Sequence, residues 1–216
     1  MTPGYIAPAV AAVLTLYGGL VGASAWTRSP ADQLGAQADR LAEGHQRREP
    51  GAAVELANWH PRLIGQSTDQ IWTEELTTED CRLALTNEHG YPDWAAVVAS
   101  ANPAPSFEAA VEAVIDGELP ALRKRLADRP ALATARSHWG HRATLLHYLA
   151  ANGVEIYRQR VSPQAPEVAR LLLTHGADAG ATAHMYGSEK TPLDLLLTSS
   201  HPRAAGVTDQ LARVLS

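Results

Sequence analysis

At 216 residues, with 45% hydrophobic and 19% charged residues, the chain has the length for one or two domains and the composition of a folded, soluble protein. A formal net charge of -5 argues against a dedicated nucleic-acid binder, which carries a basic excess. Cys81 is the single cysteine, which excludes an internal disulfide or a cysteine zinc cluster and suits a reducing compartment.

Residues 1–28 form an apolar N-terminal segment. Its uncharged stretch, Tyr5 to Thr27, has about the length that spans a hydrocarbon core at a rise of ~1.5 Å per residue. Three readings stay open: a membrane anchor flanked by Arg28, a signal peptide with Ala23-Ser24-Ala25 as its cleavage site, or a soluble extension rich in glycine and proline. The anchor reading places the rest of the chain in the cytoplasm, tethered to the membrane.

Residues 29–100 read as a helical cap or adaptor region. A helix is expected over Ala31 to Glu43, with Leu34, Ala38 and Leu41 at helical spacing and Gly44 ending it, and a second over Gly51 to Trp59. Thr77 with Asp80 forms an acidic variant of the capping box, starting a helix that runs to Glu88. Gly90 stops that helix, and Pro92-Asp93 starts another carrying Trp94, Val97 and Val98. Between Gln66 and Asp93 the acidic excess reads as a solvated face.

Residues 101–216 hold the strongest pattern. After a connector with Pro103 and Pro105, helices are expected over Phe107 to Gly117 and Leu119 to Ala127. Thr144-Leu145-Leu146-His147 opens a short helix that ends at Asn152-Gly153, and Pro166 to His175 forms the next, ended by Gly176-Ala177-Asp178. Leu146, Leu149 and Ala150 share one face, as do Val168, Leu171 and Leu172, so neither stripe is buried unless the helices face each other. Thr144 is positioned to cap, Pro166 fits a first helical turn, and Gly153 and Gly176 fit left-handed exits. Thr191-Pro192-Leu193-Asp194 restates the opening motif, and a last helix is expected over Val207 to Leu215.

The T-x-L-H, T-P-L-D and G-A-D matches resemble the ankyrin repeat. The resemblance covers 106–216 and extends to a helical segment found before such repeats in bacterial proteins. It implies an all-α fold: a solenoid of about three divergent repeats, preceded by a small helical region. Its structural signature falls on Thr144, Leu146, His147, Gly153, Gly176, Asp178, Thr191, Pro192 and Leu193. The chain departs from the pattern by insertions at Val154 to Ala165, before Thr191, and at Ser199 to Gly206.

Repeat insertions project from one edge and often bind. The candidate binding residues are His141, Asn152, Glu155, Tyr157, Arg158, Gln159, Tyr186 and His201. Tyr157, Arg158 and Tyr186 belong to the residue types that dominate interface energetics. A purely structural reading has Tyr157 packing the insertion and Arg158 bridging to Glu155 or to a helix C-terminus. The family implies a protein partner bound through the concave helices and loops, without catalysis. A small-ligand or enzymatic site in the loop cluster, and a membrane-tethered scaffold, are the alternatives. No metal site or cofactor is expected: His138-Trp139-Gly140-His141 offers two ligands without an HExxH motif or cysteine pair, and no nucleotide-binding or nucleophile-elbow motif occurs. Cys81 lies beside Glu79 and Asp80, which disfavour its thiolate.

Overall fold

A computed structural model describes residues 4–216. The chain is mostly helical, and its described residues divide into two compact units. One comprises residues 8–103 with 138–140; the other comprises residues 4–7, 104–137 and 141–216.

The first unit contains α1 (Pro8–Tyr17), α2 (Pro30–Gln46), α3 (Pro50–Trp59), α4 (Thr68–Ile71), α5 (Thr78–Glu88) and α6 (Trp94–Ala99). Ser29 caps α2 by accepting from the Asp32 N–H, and Thr77 and Asp80 form the expected reciprocal box at α5. Helix α1 packs on α3 and α2, and α5 packs on both α2 and α3. Gly51 permits the first of these contacts: a Cβ there would collide with the backbone carbonyl of Ala12.

The anchor reading, one of the three left open for the segment, calls for a membrane-spanning helix over 5–27. Among the described residues no helix is long and apolar enough to cross a membrane. Helix α1 ends at Tyr17, and 3-10 turns at Gly18–Leu20 and Ala23–Thr27 follow, with Gly18 at φ 47°. Val10, Val13, Leu16 and Tyr17 are buried, as α1 packs on α2 and α3. Residues 1–3 of the segment lie outside the described residues. Gly44 does not end α2 either. The helix continues to Gln46 because Gly44 serves close packing, its missing Cβ leaving room for Leu16.

The second unit contains α7 (Pro105–Ile115), α8 (Leu119–Asp128), α9 (Leu145–Tyr148), α10 (Ala165–Thr174), α11 (Pro192–Thr198), α12 (His201–Ala204) and α13 (Thr208–Leu215). They form two rows: α7 packs on α9 and α9 on α11, while α8 packs on α10 and α10 on α13. One apolar core joins the rows, drawing Phe107, Val111 and Val114 from α7, Leu146 and Leu149 from the α9 turn, Val168 and Leu172 from α10, and Leu196 and Leu211 from α11 and α13.

The stretch before Thr191 is an antiparallel hairpin, β1 (Ala183–Met185) with β2 (Ser188–Lys190), in which Met185 pairs with Ser188. Its two-residue turn, Tyr186–Gly187, has φ of 53° and 72°, the paired left-handed geometry that matches strand twist. Ala183 and Met185 point into the core, and His184 points out.

Candidate functional site

The predicted binding residues separate into a buried cluster and an exposed face, both within the second unit. The buried cluster centres on Arg158. The 154–165 insertion folds inward: Val154, Glu155, Ile156, Arg158, Gln159 and Val161 are all buried. Gln159 closes it by donating to the Val154 carbonyl at 2.7 Å.

The Arg158 guanidinium meets Glu108 at 2.7 Å, Glu112 at 3.2 Å and Glu155 at 3.3 Å. Glu108 and Glu112 sit on α7, one helical turn apart, so the guanidinium fastens the insertion to that helix. Arg160 adds contacts to Glu112 at 2.8 Å and to Asp116 at 3.2 Å. Burial pushes the Glu108 carboxyl above its usual range, with Arg158 pulling it back. Burial opposes the Arg158 charge, but Tyr157 and the carboxylates of Glu108 and Glu155 outweigh it and raise its pKa well above the ordinary value.

The rings of Tyr148 and Tyr157 lie 5.8 and 5.5 Å from the guanidinium carbon. His141 packs edge-on to Tyr148. Its Nδ1 accepts from the Ala143 N–H at 3.0 Å, and its Nε2 lies 3.7 Å from Glu155. With Arg158 only 2% exposed and Glu155 and His141 equally enclosed, these three hold the chain together from inside. The reading of Arg158 as a bridge to Glu155 is the one its surroundings support; the missed partners were Glu108 and Glu112. The signal for Glu108 was its place in the apolar run of α7, next to Phe107.

The exposed face is built around the hairpin tip. The Tyr186 hydroxyl donates to Asn152 Oδ1 at 2.7 Å and accepts from the Gly153 N–H at 3.1 Å. Asn152 donates in turn to the Leu195 carbonyl and the Thr198 hydroxyl, each at 3.0 Å. Gly153 lies at φ 74°, and a Cβ there would meet the Met185 sulfur, so the exit from α9 needs glycine twice over. The result is a cavity of about 390 Å³ bounded by Asn152, Tyr186, Lys190, Asp194, Leu195 and Thr198, beside a Tyr186 side chain that is 55% exposed.

The signature residues explain how this face is held. The His147 Nδ1 accepts from the Thr144 N–H at 3.1 Å and from the Thr144 hydroxyl at 2.8 Å, and its Nε2 donates to the Lys190 carbonyl at 3.1 Å. The ring thus joins α9 to the end of the hairpin. Thr191 and Asp194 repeat the box at α11, with the Asp194 carboxylate accepting from both the N–H and hydroxyl of Thr191. Pro192 is buried in the first turn of α11 and Leu193 packs on the core. Gly176, at φ 91°, and Asp178 form the turn after α10.

His201 is half-buried against Tyr5, their ring centroids 6.4 Å apart, and Tyr5 pairs with Val161 as an isolated bridge. The insertion and the Ser199 to Gly206 stretch therefore meet, through Val161, Val207, Tyr5 and Ala205 rather than through Arg158.

Among the described residues no group of three or more His, Cys, Asp or Glu side chains is arranged to hold a metal ion. Burial, followed by Asp80 and Asp39, pushes the Cys81 thiol up to about 12, which leaves no thiolate at neutral pH. No family model, curated protein or solved structure matches the chain.

Proposed function

We propose that the chain is a non-catalytic protein-recognition module whose second unit is a short array of ankyrin-like helical repeats. It engages a protein partner through the face formed by α11 and the hairpin tip. The observation that carries this reading is the Tyr186 ring, half exposed yet held by two hydrogen bonds at the edge of a cavity. A fixed aromatic loses little side-chain freedom on binding and contributes a large contact area, which is why tyrosine is enriched among binding hot spots. The two helical rows and the repeated Thr144/His147 and Thr191/Asp194 boxes support the repeat reading. A non-catalytic role accords with His147 having both ring nitrogens committed and with the masked Cys81 thiol.

Quantitative affinity capture with the full chain tests this. At least one protein retained by the wild type is expected to fall by about tenfold or more with Tyr186→Ala, at unchanged helical content. Capture profiles indistinguishable between the two chains count against the proposal.

A further inference from the structure

Helices α10 and α13 lie in the other row of the second unit and present matched triplets to the space between them. Arg170, Leu173 and Thr174 come from α10, and Gln210, Arg213 and Val214 from α13, each at i, i+3 and i+4. They enclose a groove of about 770 Å³. Leu173 and Val214 are partly buried and packed on the core, so they supply an apolar floor, while Arg170 and Arg213 stand exposed at its sides.

Among the described residues no carboxylate lines this groove, although the chain as a whole carries -5. The nearest acids along each helix, Glu167 and Asp209, lie one turn earlier. Glu167 reaches Arg170 at 3.4 Å in an exposed pair, a contact that solvent screens and an incoming carboxylate readily replaces. Arg213 donates through Nε to the Asp209 backbone carbonyl at 3.0 Å, which fixes its stem and leaves its charge without a carboxylate partner among the described residues.

We propose that this groove docks an acidic amphipathic helix of a partner protein, separately from the hairpin face. Side-chain ridges at i±3 and i±4 spacing from two adjacent helices form the groove into which a third helix seats its own ridge. The seated helix needs a narrow apolar stripe for Leu173 and Val214, with Asp or Glu on both sides to meet Arg170 and Arg213. Charge at the sides sets orientation and association rate, and the apolar floor supplies the area.

The test uses the full chain and two labelled synthetic peptides of about four helical turns: one with a leucine stripe flanked by glutamates, and a twin with lysine at every glutamate. Fluorescence anisotropy is expected to show binding of the glutamate peptide, weakening with added salt, and none of the lysine twin. The double change Arg170→Glu with Arg213→Glu is expected to weaken the glutamate peptide by about tenfold or more and to admit the lysine twin. Both side chains are exposed, and Arg170→Gln with Arg213→Gln, which keeps helix-forming residues, gives the intermediate loss if the reversed chain is misfolded by circular dichroism.

Equal binding of both peptides, or affinities that neither double variant changes, overturns the proposal. So does capture of phosphatidylserine vesicles without peptide binding, or a concentration-dependent dimer of the chain that the substitutions abolish.

Discussion

Glu55 and His147 are buried ionisable groups in different units, and their titrations act on stability in opposite directions. Burial pushes the Glu55 carboxyl from 4.5 up to about 7, with its neighbour Glu88 offsetting part of the rise. The folded chain therefore holds that proton more tightly than the unfolded chain; the contribution is fully present below pH 4.5 and is lost as pH rises through 7. Burial lowers His147 from 6.5 to about 4, opposed by its bond to the Lys190 carbonyl, so its contribution is fully present above pH 6.5 and is lost as pH falls through 4. Each shift corresponds to on the order of 3 kcal/mol. Urea melts across this range are expected to show Glu55→Gln removing the loss on the alkaline side and His147→Gln removing the loss on the acid side. Slopes that neither substitution changes would contradict these assignments. Arg158 makes a third residue-level test. Arg158→Met is expected to cost roughly 3–5 kcal/mol, because Glu108 and Glu155 would remain buried without a cation, and adding Glu108→Gln is expected to recover part of it.

Among the elements, those announced by capping chemistry were the most legible. Thr77 with Asp80 names its helix start outright, since a hydroxyl and a carboxylate three residues apart satisfy two backbone donors at once, and the structure shows the same box at Thr191 and Asp194. The hairpin at 183–190 shows in the sequence only as an insertion before Thr191, because its strands are three residues long, too short for an alternation to register, and because tyrosine rarely adopts the φ of 53° it takes here. Its two-residue turn is held in place by tertiary contacts, above all the bonds that join Tyr186 to Asn152 and Gly153. Tyr186→Phe is accordingly expected to cost about 1 kcal/mol and to speed amide exchange across Ala183–Lys190. Exchange that is unchanged there would contradict a role for these two bonds in holding the hairpin. The direction of the 154–165 insertion was equally hidden. Nothing local distinguishes an arginine that reaches solvent from one that reaches three carboxylates, two of them on a helix more than forty residues earlier.

At the scale of the molecule, the helical class and the pairing of helices in 106–216 followed from apolar stripes too narrow to be buried singly. The N-terminal segment admits more than one reading because a run of small apolar residues meets a hydrocarbon core and a tightly packed helix interface on similar terms. Gly44 and Gly51 decide in favour of the interface, and that information lies thirty residues downstream of α1. The second unit then offers two faces, one per helical row, and the hairpin face is the one proposed to meet the principal partner. Amide hydrogen exchange of the full chain, free and bound to the protein whose capture depends on Tyr186, tests this most directly. Protection centred on Asn152–Gly153 and 183–198, with residues 8–103 unaffected, is the predicted result. Protection confined to residues 8–103, or absent from 183–198, would contradict it.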